Sequence, residues 1–374
     1  GFAQLDAGAA FDGVQVQCAQ GAGEVAQDCL AIRTEGQGTR RRAGAGIVLA
    51  AYNHSMNQRV DVCVRGSGAV GISLALALAR QGLSVAVTAP PAAAAHAAPD
   101  VRAYALNAAS RALLSELKVW QALPSDAVTA VHDMRVAGDA AGAGIDFSSW
   151  QQGVDALAWI VDAAELDTAL QAAARFAPHL QTVAAPVEAA LTVWADGKAS
   201  QSVQALGVRV QRHAYGHTAV AARLQCEQGH GNVAWQWFRA PDVLALLPFD
   251  RPAVGQGFGL VWSMPAAQAA EVMQLPDAEF EARLLEATEG RVGALRLCAP
   301  RAAWPLSLAQ ADPLCGPGWV LVGDAAHVVH PLAGQGLNLG LADVASLAGV
   351  IAAREPWRSV GDEQLLRRHA RARA

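Results

Sequence analysis

The chain has 374 residues, of which 53% are hydrophobic and 16% are charged, and its formal net charge is −5. This composition is typical of a globular protein with one large domain or two medium ones, and it argues against a disordered chain. The acidic balance, with no basic stripe, argues against nucleic acid as a partner.

The cysteines contain no CxxC pair, so we expect no metal site and a reducing cytoplasmic environment. They are Cys18, Cys29, Cys63, Cys226, Cys298 and Cys315. The sequence has no run of about 18 apolar residues that would span a membrane. It also begins without a basic region followed by an apolar one, so we predict a soluble cytoplasmic protein with no secretory signal.

Residues 1–55 are rich in Gly, Ala and Gln and show no helical or strand period. We expect them to be a disordered or non-native leader, with an ordinary domain beginning at Met56.

The first regular pattern is a strand–turn–helix–strand unit. A β-branched run at 60–64 predicts a buried parallel strand, and the turn GSGAVG follows at 66–71. Helix-forming residues at 72–80 end at Gly82, and 83–87 predicts a second strand.

Further elements follow in chain order. Helices are predicted at about 108–117, 164–176, 277–289 and 335–351. Strands are predicted at 231–238, 261–263 and 319–322, and in the first of these Trp235 and Trp237 share one face.

The glycine turn predicts a nucleotide site, because a backbone can approach a pyrophosphate closely only where no Cβ intervenes. Gly66 would make the tight turn, Gly68 would admit the phosphates, and Gly71 would allow close packing of helix and strand. The helix N-terminus would present its free N–H groups, including those of Ala69 and Val70, to the anion. The alternative is a structural turn with no ligand.

One part of a dinucleotide site is missing. The end of the second strand should offer a carboxylate to the ribose hydroxyls, but residues 87–90 read VTAP. Thr88 could replace the carboxylate only weakly.

Four further segments carry a family resemblance. They are RAYALNAAS at 102–110, ADGKAS at 195–200, Arg301 with WPL at 304–306, and GDAAHVVHPLAGQGLNLG at 323–340. With the glycine turn they resemble the ubiquinone-biosynthesis flavin hydroxylases, a branch of the para-hydroxybenzoate-hydroxylase-type (class A) flavin monooxygenases. The likeness runs from about Met56 to about Arg371.

The resemblance implies an α/β fold, with a Rossmann-like FAD-binding domain and an inserted mixed-sheet substrate domain. The FAD-binding domain would be discontinuous and would comprise residues 56–135, 155–225 and 300–374. The substrate domain would comprise residues 136–154 and 226–299.

The resemblance also implies cofactor contacts. Arg102 would contact the flavin or its phosphates, Asp196 and Gly197 the pyrophosphate and the docking NAD(P)H, and Asp324 the ribityl chain. The flavin ring would lie against the loop that opens the last long helix. The remaining implied contacts are Gly323, Pro331, Gly334, Gln335, Gly336, Leu337 and Asn338.

The residues alone leave other readings of these positions open. Asp324 could be a helix N-cap, Asp196-Gly197 a simple turn, and Arg102 a surface arginine. His327 and His330 are expected to be structural, because they lack a third metal ligand. No catalytic side chain is assigned, since the flavin carries the chemistry.

The implied function is an FAD-dependent monooxygenase that hydroxylates a phenolic ring with NAD(P)H and O2 in ubiquinone biosynthesis. Its partner would be a small aromatic substrate, with or without a polyprenyl tail. No second glycine-rich unit is present for NAD(P)H, as in the family. The sequence leaves open the oligomeric state and a peripheral contact with the inner membrane or with a quinone-biosynthesis complex.

The chain departs from the family pattern at four places. No arginine follows Ser200, Trp194 replaces a usual glycine, and the chain stops at Ala374. The region between about Leu180 and Trp194 is also about thirty residues shorter than usual, although strands of a sheet are not freely removable. Two alternatives therefore stay open, an impaired or inactive flavin-binding homologue and a flavin oxidoreductase that does not hydroxylate.

Overall fold

The structure is a computed structural model that describes residues 14–15, 33–34, 59–88, 100–140, 142–197, 206–329 and 335–373. The chain divides into two units, Gly1–Met56 and Asn57–Ala374. In the first unit β1 (Val14–Gln15) pairs antiparallel with β2 (Arg33–Thr34). The predictions for the rest of the leader, for residues 198–205 and for residues 330–334, which include His330, Pro331 and Gly334, lie outside the described residues.

A six-stranded, mainly parallel sheet forms the centre of the second unit. Its strands are β3 (Val60–Arg65), β4 (Val85–Thr88), β10 (Leu180–Val183), β11 (Ala189–Trp194), β18 (Cys315–Gly316) and β19 (Trp319–Leu321). Their order is β10-β4-β3-β11-β19-β18, and only β18 runs antiparallel to its neighbour. The shortened region thus still supplies two strands, β10 and β11, that keep their backbone partners on this sheet.

Helices pack on this sheet around a common apolar core. They are α1 (Ala69–Ala79), α2 (Ala108–Glu116), α4 (Ala163–Phe176), α7 (Gln335–Ala352) and α8 (Glu363–Arg373). The helix α1 is rich in Leu and Ala, which favour helices, and the chain leaves it through Gly82, which has a φ of +84°. Asp162 caps α4 by accepting hydrogen bonds from the backbone N–H groups of Ala164 and Glu165.

A nine-stranded mixed sheet is the second large element. Its strands are β7 (Asp133–Ala137), β8 (Gly144–Ser148), β12 (Arg209–Cys226), β13 (Val233–Arg239), β14 (Asp242–Phe249), β15 (Gly257–Pro265), β16 (Leu295–Leu297), β17 (Ala302–Asp312) and β20 (His327–Val328). The order is β20-β17-β12-β15-β14-β13-β7-β8, with β16 paired to β12. Only β7 and β13 are parallel neighbours.

The two faces of the nine-stranded sheet have different neighbours. One face packs against α5 (Ala266–Gln274) and α6 (Asp277–Ala287). The other packs against a three-stranded sheet of order β5-β9-β6, made of β5 (Ala103–Leu106), β6 (Val128–Val131) and β9 (Ala158–Asp162). The short helix α3 (Ser149–Gln152) follows the outermost strand, β8.

The predicted fold class is confirmed, with a Rossmann-like parallel sheet and a mixed sheet. The proposed domain boundaries remain a proposal. Two strands of the nine-stranded sheet, β12 and β17, include residues 209–225 and 302–312, which the sequence assigns to the FAD-binding domain.

One helix, α7, is long and apolar enough to cross a membrane by length and composition alone. It packs instead on α1, α2 and α8, and it buries Asn338 and Asp343. Those two polar residues have protein partners, described below. We therefore interpret α7 as a core helix of the α/β unit.

Candidate functional site

The glycine turn joins the end of β3 to the first residue of α1. Gly66 has a φ of +114°, and a Cβ on it would overlap the carbonyl oxygen of Ala195. A Cβ on Gly71 would overlap the carbonyl oxygen of Gly66. Both positions therefore require glycine for the fold itself.

Gly68 differs from these two glycines because it faces open space. A Cβ on it would meet no described heavy atom within 4 Å, and its φ is −75°. As the N-cap of α1, Gly68 supplies no side-chain hydrogen bond to the first helical turn. The N–H groups of Ala69, Val70 and Gly71 therefore lie without intrahelical acceptors at the positive end of the helix dipole. This arrangement suits a phosphate.

Three segments that are distant in the sequence meet at this turn. The turn lies against Ala195 and Asp196. A Cβ on Gly323 would lie 3.2 Å from Val70 Cγ1, and one on Gly340 would lie 2.5 Å from Val70 Cγ2. The structure thus brings together the three segments that the resemblance assigns to one cofactor.

The strand β4 ends at the hydroxyl of Thr88, where a dinucleotide-binding site usually has a carboxylate. Thr88 Oγ1 is buried and has no hydrogen-bond partner among the described residues. Thr88 lies opposite Arg65 in the sheet, and Arg65 lies opposite Trp194. The Arg65 guanidinium stacks on the Trp194 ring, 3.7 Å from its centroid. The role of Thr88 as a weak replacement for the carboxylate stays a prediction.

Trp194 is accommodated on the parallel sheet. Its side chain is 6% exposed and belongs to an apolar cluster with Val208, Leu321 and Ala326. The indole packs between this cluster and Arg65.

Arg102 forms an ion pair with Asp100, which the sequence reasoning did not single out. The guanidinium Nη2 lies 2.6 Å from Asp100 Oδ2, and the Arg102 side chain is 45% exposed. Burial raises the pKa of Asp100, but the hydrogen bonds and charge of Arg102 outweigh it and hold this pKa below its usual value. Burial also raises the pKa of the nearby Tyr104 to about 12. Arg102 can therefore still reach a phosphate, but in competition with Asp100.

A second arginine, Arg223 on β12, supports the Arg102 segment from the other sheet. Its residue is 8% exposed, and Nη2 donates to the Arg102 carbonyl oxygen at 2.5 Å and to Asp162 Oδ2 at 3.4 Å. The guanidinium lies 3.9 Å from the Phe249 ring centroid. An arginine within the apolar run 219–224 was the only sequence signal for this contact.

The buried Asp343 on α7 anchors the Gly323–Asp324 segment by a hydrogen bond to its backbone. Its side chain is 1% exposed, and it accepts hydrogen bonds from the Gly323 N–H at 2.8 Å and from Arg373 Nε at 2.6 Å. His327 Nε2 lies 2.8 Å from its Oδ2 atom. Burial raises the pKa of Asp343, but His327, Arg373 and the Gly323 N–H outweigh burial and hold it below its usual value.

The histidines near this segment have structural contacts. His327 pairs with Asp343, which agrees with the structural role expected from the sequence. The buried His369 on α8 lies with Nδ1 2.9 Å from Ser346 Oγ, and burial lowers its pKa to about 4. In the described ranges, no group of three His, Cys, Asp or Glu side chains is placed to hold a metal ion.

The first turn of α7 follows the undescribed residues 330–334. Gln335 is exposed, a Cβ on Gly336 would meet nothing within 4 Å, and Leu337 packs against the core. Gly197 has a φ of +79° and open space around it. Their contacts with a flavin remain predictions.

Asn338 clips α7 to the Arg102–Ser110 segment. Its Oδ1 atom accepts from the Asn107 N–H at 3.0 Å and from Ser110 Oγ at 2.7 Å. Its Nδ2 atom donates to the Ala105 carbonyl oxygen at 2.8 Å. Asn338 therefore joins two of the segments that carry the family resemblance.

We expect the substitution Asn338→Ala to lower the free energy of unfolding by about 2–3 kcal/mol, because the buried Ser110 hydroxyl and the buried Ala105 carbonyl oxygen lose their partner. Denaturant unfolding followed by circular dichroism measures this loss. The control Ser110→Ala removes only one donor and should cost about 1 kcal/mol. Equal losses in the two variants would show that the other hydrogen bonds of Asn338, to Asn107 and Ala105, do not contribute to the stability.

The residues present fit FAD. Three features follow the carboxyl ends of the parallel strands β3, β4 and β19. They are the helix N-terminus that Gly68 leaves without a side-chain cap, the Thr88 hydroxyl without a described partner, and the turn at Gly323 that Asp343 holds by a hydrogen bond. No second glycine turn of this kind is found in the part of the chain that the structure describes.

Comparisons with known proteins give the same cofactor. The family described as FAD binding domain matches residues 161–374. The 3-demethoxyubiquinol 3-hydroxylase of Escherichia coli is 33% identical over 79% of this chain and 80% of its own length. The ubiquinone hydroxylase UbiL of Rhodospirillum rubrum is 31% identical over 79% of this chain and 72% of its own length.

The fold is also similar to that of a solved structure. PqsL of Pseudomonas aeruginosa, a probable FAD-dependent monooxygenase, superposes with a TM-score of 0.69 over 84% of this chain and 92% of that chain. The identity of 20% limits this likeness to the fold.

Proposed function

Because the chain belongs to the FAD-dependent monooxygenase family of the ubiquinone hydroxylases, we propose that it hydroxylates a phenolic ring in quinone biosynthesis, using NAD(P)H and O2. The observation that carries the proposal is that Asp196 and Gly323 both lie against the glycine turn, Asp196 next to Gly66 and Gly323 next to Val70. These segments serve no common purpose in a simple NAD dehydrogenase, whereas they share one cofactor in this family.

We assign the predicted contacts to parts of FAD. The N–H groups at the start of α1 would hold the pyrophosphate, and Asp324 the ribityl chain. The start of α7, including Asn338, would lie near the flavin ring, where the helix dipole stabilises negative charge. The undescribed residues Pro331 and Gly334 remain part of this proposed site.

In this proposal the residues of the chain bind the cofactor, orient the substrate and exclude water, and they do not themselves react. Bound FAD would accept electrons from NAD(P)H and supply the oxygen chemistry. The nine-stranded sheet would position the substrate ring and exclude water, and Arg102, held by Asp100 and Arg223, would orient the cofactor. No side chain is assigned as a general base.

The substrate class follows from the relatives, which are named for ubiquinol or ubiquinone hydroxylation. We propose a phenolic quinone precursor that carries a polyprenyl tail. A cytoplasmic protein acting on such a lipid would contact the inner membrane, or a quinone-biosynthesis complex, at its periphery.

The proposed function predicts that the purified protein gains flavin absorbance near 450 nm when incubated with FAD, and oxidises NAD(P)H faster when a phenolic substrate is added. Mass spectrometry should then find a product that has gained one oxygen atom. Protein that binds no FAD would refute the proposal. Loss of the flavin absorbance on addition of NAD(P)H, without an oxygenated product, would favour the non-hydroxylating oxidoreductase. FAD binding without this loss of absorbance would favour the inactive homologue.

A further inference from the structure

The face of the nine-stranded sheet that packs on β5 continues to the free edge of the sheet. Near the centre, this face carries Ala234, Ala245 and Val261, which pack with Ala103 and Ala105 of β5. This is the segment next to Arg102 that the resemblance assigns to the flavin. The opposite face is covered by α5 and α6. The face toward β5 is covered at its centre by the three-stranded sheet, so a substrate can reach it only toward its β8 end, where Ile145 and Phe147 are exposed.

A cross-strand row can be followed along this face from its packed centre to its edge. Ala245 lies opposite Gln236, Gln236 opposite Val136, and Val136 opposite Ile145. Residues directly opposite one another share a face. The adjacent row ends with Met134 opposite Phe147. Met134, Val136, Ile145 and Phe147 are hereafter called the edge strip.

The outer end of the edge strip is exposed. Among the described strands β8 pairs with β7 alone, and its residues Ile145 and Phe147 are 60% and 42% exposed. Trp150 and Val154, just after β8, are 87% and 49% exposed. Exposed apolar side chains clustered at a free strand edge favour aggregation unless they bind something.

One polar group lies within this apolar path. Gln236, with its amide side chain, is 7% exposed. It lies between Ala245, which packs beneath β5, and Val136 of the edge strip. An amide at this place can donate a hydrogen bond to an oxygen atom of a ligand. A ligand with an oxygen-bearing ring followed by an apolar tail would satisfy both parts of the path.

We propose that the edge strip binds the isoprenoid tail of the substrate, with the ring oxygens near Gln236 and the tail leaving at the free edge past Phe147. This inference rests on the proposed function. The path from β13 to β8 crosses two inter-strand spacings, about 10 Å, which suits the first part of such a tail.

A second copy of the chain is a poorer occupant. The exposed apolar side chains of the patch present on the order of 500 Å², less than the roughly 800 Å² per partner that a stable dimer buries. The edge is also continuous with the face that packs on β5, next to the Arg102 segment, which a dimer contact would not require. The tail accounts for both observations.

The test compares a phenol carrying an isoprenoid tail with the same phenol without its tail. In the variant Ile145→Ser with Phe147→Ser, we expect the Kd and KM for the tailed phenol to rise about tenfold, while those for the tail-less phenol and kcat stay unchanged. The conservative variant Phe147→Leu should retain the affinity for the tail. The matched control is Phe176→Ser, which removes an exposed aromatic residue at the end of α4.

Several results would overturn the inference. They are an equal change for both phenols, no change for either, the same change in Phe176→Ser, or a shift in oligomeric state. Binding is measured by equilibrium titration, so the answer does not depend on turnover. A wild-type protein that hydroxylates neither phenol refutes the proposed function, whereas a wild type that hydroxylates both with unaltered selectivity in the variants refutes only the tail site.

Discussion

Replacing Gly71 with alanine is expected to destabilise the second unit severely. The new methyl group would overlap the carbonyl oxygen of Gly66, which is a backbone atom and cannot swing away as a side chain can. Gly66 is already confined by its φ of +114° and by its contact with Ala195. We expect a loss of about 3 kcal/mol or more, and thermal unfolding followed by circular dichroism should show a fall in Tm of roughly 5–10 °C.

The matched control is Gly68→Ala, three positions earlier in the same turn. Its methyl group would meet nothing within 4 Å, and its φ suits any residue, so the Tm should stay within a few degrees of the wild-type value. The affinity for FAD should fall at least tenfold, because the methyl group enters the space left for a phosphate. Normal FAD binding by Gly68→Ala would contradict the proposed pyrophosphate site, and an unaltered Tm in Gly71→Ala would contradict the packing argument.

Replacing Asp343 with alanine is the second substitution for which we expect a large effect. It would leave the Arg373 guanidinium, the Gly323 N–H and His327 without their common partner inside the fold. Breaking a buried pair in this way costs about 3–5 kcal/mol. Urea unfolding at neutral pH would measure the loss, and Asp343→Asn should lose less because it keeps the shape and one acceptor.

The same carboxylate predicts an acid dependence of stability. The pKa of Asp343 is below its usual value in the folded protein, so the unfolded chain binds its proton more readily. Its contribution is therefore present above the unfolded pKa of about 3.9 and is lost as pH falls through the lower folded value. The stability of the wild type should fall more steeply than that of Asp343→Asn below about pH 4.

A surface carboxylate serves as the control for this dependence. Asp146 on β8 is exposed, so Asp146→Asn should keep the wild-type pH slope. Parallel slopes for wild type and Asp343→Asn would contradict the role assigned to the buried carboxylate.

Local sequence patterns predicted the strand–turn–helix–strand segment at 60–88 closely, and the small errors have local causes. The helix α1 begins at Ala69 rather than at 72, because Gly68 is its N-cap and the glycine-rich start was read as turn. The strand β4 begins at Val85 rather than at 83, because the Leu83 N–H is bonded back to the Leu78 carbonyl oxygen in the helix end. Residue propensities do not fix the exact end of a helix or strand, because capping residues and local hydrogen bonds determine it.

The candidate site was predictable only where one contiguous segment carries its own chemistry. The glycine turn and residues 323–340 are of this kind, and the family comparison agrees with the interpretation of the second as part of an FAD binding domain. Asp100, Arg223 and Asp343 were missed, although they hold the predicted segments in place. None of the three stands in a recognisable sequence motif, because the group that each one binds comes close to it only in the folded chain.

The sequence by itself thus determined the α/β class, the nucleotide turn and the family, since backbone period and glycine spacing act over a few neighbouring residues. Only the tertiary structure decided that Gly71 packs on Gly66, that Asp343 bonds Gly323 from 20 residues away, and that Arg223 reaches the Arg102 carbonyl from 121 residues away. It also decided that the edge strip lies on one face, because strand register joins residues that no sequence period connects. Burial gives these long-range contacts their energy, and burial is a property of the folded chain alone.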